Sequence, residues 1–113
     1  MNKECAETTL RLVVELTDVF TKEAYPALNR KQRKEKETTR LQQASGNAQT
    51  IKYADILDNC NEITAHDPGF APRFLKECLN ILQVAHKGNT ELRTLTFEKV
   101  YNELKDIKKR KLF

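Results

Sequence analysis

Apolar residues recur along this chain at intervals of three and four, and runs of β-branched residues are absent. That spacing predicts helices throughout. The first is expected over residues 4–16, where Leu10, Val13 and Val14 recur and Leu16 and Val19 continue the apolar content. Pro26 disfavours helix at Tyr25, and Asn29 can cap a second helix over 30–44. This helix has Leu41 and little else to bury, so it should face solvent or line a polar groove. Ser45-Gly46-Asn47 is a break: Gly46 can end one helix, and Ser45 or Asn47 can cap the next. Over 48–64 the wheel has two sides, Tyr53, Ile56, Leu57, Cys60 and Ile63 against Lys52, Asp55, Asn59 and Glu62. Asp67 as N-cap and Pro68 as first helical residue predict a fourth helix over 68–86. Phe74, Leu75, Cys78, Leu79 and Leu82 make its stripe, Pro72 is tolerable in its first turn, and Gly88 closes it beside Lys87. A last helix, capped by Asn89 or Thr90, should run to about residue 109 on Phe97, Val100, Tyr101, Leu104 and Ile107. The basic tail 108–113 is expected to fray. Five helices with short connections imply one all-α, bundle-like domain over 1–113.

Composition sharpens this picture. Leu, Ile, Val and Phe supply 28 of 113 residues, above the ~20% level below which disorder is the default. Charged residues reach 32% and the net charge is +4, so a small core carries a heavily charged surface. No segment approaches the ~18 apolar residues a membrane span needs. Residues 1–7 carry both signs of charge and no apolar run, so no secretory signal is read there. Cys5, Cys60 and Cys78 are an odd set without a close pair, which points to a reducing cytoplasm.

Chemistry-bearing motifs are few. There is no Cys-x-x-Cys, no HExxH and no glycine-rich phosphate loop. His66-Asp67 can be read as a metal-binding pair, since imidazole and carboxylate suit Mn, Fe or Zn. It can equally be a helix start, because Pro68 accounts for the aspartate without a metal. Asp55 and Asn59 lie one turn apart, so both can address one ligand or simply face water. Arg30, Lys31, Arg33, Lys34, Lys36 and Arg40 form a basic run that can meet phosphates. Glu35 and Glu37 interrupt it and no aromatic residue interleaves with it, which disfavours nucleic acid.

The string Ile51-Lys52-Tyr53-Ala54-Asp55-Ile56-Leu57-Asp58-Asn59 resembles the K-x-A-D-x-x-x-N helix of HD-domain phosphohydrolases of the RelA/SpoT type. These enzymes remove pyrophosphate from the 3′ position of guanosine tetraphosphate-like alarmones. The resemblance covers most of the chain. The segment 12–18, the basic helix beginning Asn29-Arg30-Lys31-Gln32-Arg33-Lys34 and the segment 62–68 also look like family members. The resemblance implies that Asp55 is a ligand of a divalent metal, usually Mn²⁺, and that Asn59 contacts a guanine nucleotide. Lys52 would support the same face, and Arg33 or Lys34 would approach phosphate oxygens. Such a metal polarises a phosphoryl group and activates water.

The family's first histidine, its His-Asp pair and its Glu-Asp pair all precede the Leu-Thr-Asp segment. Here eleven residues precede Leu12, and none is histidine or aspartate. The chain therefore resembles the C-terminal half of such a hydrolase, and it is expected to be inactive alone or completed by another polypeptide. A second expectation is a non-catalytic interaction module. The faces of 74–82 and 97–107 would then be partly uncovered, favouring a homo-oligomer or a complementing N-terminal half. Nucleic-acid binding through the basic helix and tail is a third and weaker reading.

Overall fold

The computed structural model describes residues 3–112, with the side chains of residues 6–110. Five α-helices follow one another: α1 (Lys3–Leu16), α2 (Arg30–Gln42), α3 (Gly46–His66), α4 (Ala71–Val84) and α5 (Thr90–Leu112). No strand occurs among the described residues, so the fold is all-α. No helix there is long and apolar enough to cross a membrane.

The core lies where α3, α4 and α5 meet. Tyr53, Ile56 and Cys60 of α3, Leu75, Cys78 and Leu82 of α4, and Val100 and Leu104 of α5 are all buried. Each large aliphatic side chain so buried contributes about 1.5–3 kcal/mol. The stripes of α4 and α5 read from sequence therefore cover each other. On the faces over 74–82 and 97–107, Phe74, Leu79, Phe97 and Ile107 are only partly buried and Tyr101 is 54% exposed, so the packing covers these faces in part.

Two helices are peripheral: α1 packs on α3, and α2 packs on α4. The apolar pattern in α1 points the other way from the expected stripe. Leu12 and Leu16 pack on the core, whereas Leu10, Val13 and Val14 are each more than half exposed. Segment 10–16 holds two overlapping apolar stripes, and periodicity alone does not choose between them.

Boundaries differ from the sequence reading in several places. Gly46 opens α3 instead of ending α2, because Ser45 is the N-cap and its Oγ accepts from the Ala48 N–H at 3.2 Å. Asp67 ends α3 instead of capping α4. Its N–H donates to the Ile63 carbonyl at 2.9 Å, and its carbonyl accepts from the Ala71 N–H at 3.0 Å. Its Oδ1 also accepts from the Phe70 N–H at 3.3 Å, so the aspartate holds a turn over 68–70. α4 then starts at Ala71 with Pro72 in its first turn. α5 runs through Leu112, past the expected end, since cations in a last turn suit the helix dipole. Phe113, the end of the expected frayed tail, lies outside the described residues, as does the side chain of Cys5.

Gly88 does not close α4, which ends at Val84 with Ala85 as its C-cap. Its role is close approach. A Cβ there would sit 2.6 Å from the Tyr53 ring and 2.8 Å from the Thr50 backbone nitrogen. Asn89 does cap α5: its Oδ1 accepts from the Leu92 N–H at 2.8 Å.

Candidate anion-binding groove

α2 forms where it was expected because its start is doubly capped. Asn29 Oδ1 accepts from the Gln32 N–H at 2.8 Å, and Gln32 Oε1 accepts from the Asn29 N–H at 3.0 Å. The helix carries six cations and two carboxylates and buries one residue, Leu41. It is held to α4 by Arg30, whose Nε and Nη2 donate to the two Glu77 carboxylate oxygens at 3.1 and 3.2 Å. The same guanidinium lies 4.8 Å from the centroid of the Phe70 ring. A polar helix fastened along one edge leaves an opening, and α2 lines the polar groove that its composition implied.

That groove has a volume of about 690 Å³ and runs between α2 and α4, with the end of α1 and Lys52 of α3 completing it. Leu16, Leu41, Ile81 and Val84 contribute apolar surface to it. Among its charged groups, three acids are already engaged. Glu77 pairs with Arg30, Glu15 accepts from the Ser45 N–H and Oγ, and Glu37 accepts from the backbone N–H groups of Val19 and Phe20. Arg40 is engaged too: it lies 3.6 Å from Glu37 and donates to the carbonyls of Val14, Glu15 and Thr17. Four cations have no carboxylate within 4.0 Å among the described residues, Lys31 and Lys34 on α2 and Arg73 and Lys76 on α4. The carboxylates left over in the lining are Asp18 and Glu35. The groove therefore presents unspent positive charge on both walls.

On the neighbouring face of α3 the structure brings together Lys52, Asp55 and Asn59. Lys52 Nζ lies 3.5 Å from Asp55 Oδ2, and Asn59 Nδ2 donates to Asp55 Oδ1 at 3.3 Å. Asp55 is exposed, and Lys52 is shared with the groove. Of the two expected phosphate contacts, Lys34 reaches the groove and Arg33 does not. Arg33 Nη1 donates instead to the Leu28 carbonyl at 2.6 Å, fastening the loop before α2.

The Asp55 face is poorly suited to a divalent metal. It offers one carboxylate, and the groups bonded to that carboxylate are an ammonium and an amide. No group of three or more His, Cys, Asp or Glu side chains suited to a metal occurs among the described residues. His66 ends α3 eleven residues after Asp55, roughly 16 Å along the helix axis. Ions such as Mn²⁺ take a shell of several oxygen or nitrogen donors, and this face supplies too few to fit one. The buried thiols do not add a nucleophile either, because burial pushes Cys60 up to about 11 and Cys78 up to about 12.

Arg73 and Lys76 were not singled out in the sequence. They flank Phe74 and Leu75 in the strongest apolar stripe and read there as its solvated edge. The available signal was their three-residue spacing, matching that of Lys31 and Lys34. The fold and site thus define a small all-α domain with a cationic groove. Comparison with protein-family models, with curated proteins and with solved structures finds no match for this chain.

Proposed function

We propose that this chain is a nucleotide-binding helical domain of the HD phosphohydrolase type, which binds a guanosine polyphosphate and does not hydrolyse it alone. The observation that carries the reading is the constellation of Lys52, Asp55 and Asn59 on one exposed face of α3. Lys52 there opens onto a groove with unpaired cations, Lys34 among them. A carboxylate and an amide one turn apart can bond the edge of a base, and ammonium groups suit the phosphates. Asp55 alone is a poor seat for Mn²⁺, so a hydrolytic site would need donors from outside the described residues. The buried free thiols of Cys60 and Cys78 suit a reducing cytoplasm.

Titration calorimetry with guanosine tetraphosphate tests the reading, with GMP as the control. Binding should weaken about tenfold in Lys52→Ala, the loss of one charge-assisted hydrogen bond, and about fivefold in Asn59→Ala, the loss of a neutral one. Mn²⁺ should bring no release of pyrophosphate. Absence of binding at millimolar nucleotide overturns the proposal, and rapid pyrophosphate release overturns its non-hydrolysing half.

A second reading, a self-associating interaction module, is favoured by one observation. Leu10, Val13 and Val14 form an exposed apolar face on α1. Sedimentation equilibrium should then show a dimer that Val13→Glu dissociates. A monomer at high concentration rejects it.

A further inference from the structure

We infer that the groove between α2 and α4 is a docking site for an acidic amphipathic helix of a protein partner. The inference shares Lys34 with the nucleotide reading but rests on the groove's length, floor and both walls and not on the Asp55 face.

Length comes first. The α2 positions that line the groove run from Arg30 to Leu41, and those of α4 from Arg73 to Val84. Each stretch is twelve residues, and its eleven steps span about 16 Å of helix. Three turns of a guest helix are also about 16 Å, so the walls are long enough to seat a helix of that length.

Floor and walls give its chemistry. Leu16, Leu41, Ile81 and Val84 offer an apolar floor that a phosphate or a sugar does not use. A row of leucines spaced three and four residues apart does use it, as in other helix-in-groove interfaces. The free cations stand in pairs on opposite walls, Lys31 and Lys34 facing Arg73 and Lys76, and each pair is one turn long. Glutamates on both flanks of the guest's apolar stripe would meet them. A compact phosphate group would satisfy one pair and leave the other unused. Among the described residues, four unpaired cations against the two unpaired carboxylates Asp18 and Glu35 leave the groove net positive, which steers encounter as well as affinity, so binding should be salt-sensitive.

The probe is a synthetic, fluorescein-labelled peptide of about four helical turns, with leucines three and four residues apart and glutamates beside them. One control has the same composition with the leucines scattered around the helix, and another has lysine for every glutamate. The expected result, by fluorescence anisotropy, is binding of the acidic amphipathic peptide alone. The affinity should fall about tenfold in R73E/K76E and again in K31E/K34E, as for charge reversal across an interface. These four positions are at the surface, and circular dichroism of each variant confirms the fold. Equal binding of the scattered peptide, or insensitivity to both charge reversals, overturns the inference. So does a concentration-dependent dimer that R73E/K76E abolishes, which would make a second copy the occupant. Loss of peptide binding with guanosine tetraphosphate binding intact would leave the nucleotide reading standing by itself.

Discussion

Gln49 is the residue on which most of the connections converge. It is completely buried on α3, and its Nε2 donates to the carbonyls of Leu41, Gln42 and Ala44 at 3.0 to 3.2 Å. Its Oε1 accepts from the Lys87 N–H at 2.7 Å. One amide thus satisfies the end of α2 and the α4–α5 loop together. Gln49→Leu keeps the volume and removes all four bonds, and it should cost about 3 kcal/mol through the buried groups it strands. Gln49→Glu should cost more, because a carboxylate cannot donate to carbonyls. Urea unfolding checks both, with a lower midpoint and an unchanged slope. The two core thiols give a second expectation. An unfolded thiol titrates near 9.0, and burial raises Cys60 to about 11 and Cys78 to about 12, with the Glu103 charge adding to the rise at Cys60. A raised pKa favours the neutral thiol in the fold. That contribution is complete below pH 9 and is lost as pH climbs from 9 through 11 and 12. The urea midpoint should therefore fall across that window. At pH 8, a pKa of about 11 in place of 9.0 slows modification of native Cys60 about 100-fold through its thiolate fraction alone. Fast labelling of Cys60 or Cys78 in the native state, mapped by mass spectrometry, would contradict this. Sequence reading placed both cysteines on apolar stripes correctly, since burial follows helical period. It passed over Gln49, whose partners lie on other elements.

Elements were legible to the degree that their signals are local. Asn29 announced α2, and the capping box bears this out. The stripe of α4 was the clearest in the chain, and Leu75, Cys78 and Leu82 are its buried members. Asp67-Pro68 misled because an aspartate before a proline serves a turn as well as an N-cap, and only the bonds at Ala71 and Phe70 decide. α1 misled for another reason: which of its two stripes is buried depends on α3, not on its own sequence. The candidate site divides along the same line. Lys52, Asp55 and Asn59 could be grouped from one-turn spacing. The pairing of α2 cations with α4 cations is tertiary and has no local signal. Stability within α2 follows from these contacts. A polar helix of 13 residues is marginal by itself, so its first turns depend on the Asn29 box and on the Arg30–Glu77 pair. Asn29→Ala should cost about 1 kcal/mol of local stability, and Glu77→Ala should act on the same turns. Amide exchange at residues 32–34 should accelerate about fivefold in each variant, the equivalent of 1 kcal/mol. Exchange in α3 to α5 should stay unchanged, and general acceleration there would show that α2 is part of the main cooperative unit.

The molecule as a whole is more open than its length requires. Its radius of gyration is 15.4 Å and its extents are 56 × 38 × 24 Å, whereas a packed domain of this length is expected near 13 Å. The excess follows from the arrangement: α3, α4 and α5 share the core, α1 packs outside it on α3 and α2 on α4, and the groove opens between α2 and α4. Packing of this kind implies a hierarchy of opening. Among the described side chains of α1, the apolar ones packed on the core are Leu12 and Leu16, both in part, and polar bonds at its end add to their hold. Arg40 reaches the carbonyls of Val14, Glu15 and Thr17 at 2.7, 3.2 and 2.9 Å, and the Glu15 carboxylate accepts from Ser45 N–H and Oγ at 3.1 and 2.7 Å. Native-state hydrogen exchange should therefore find α1 opening first, α2 next, and α3 to α5 only with global unfolding. Arg40→Ala removes the hydrogen bonds from a charged donor to three carbonyls. It should lower the opening free energy of α1 by about 2 kcal/mol, because charge-assisted bonds contribute more than neutral ones. The α3–α5 amides should keep their protection. If α1 amides exchange with the same free energy and urea dependence as Tyr53 and Val100, the five helices form one unit, and the groove is then a rigid feature of the fold rather than a gap between loosely attached parts.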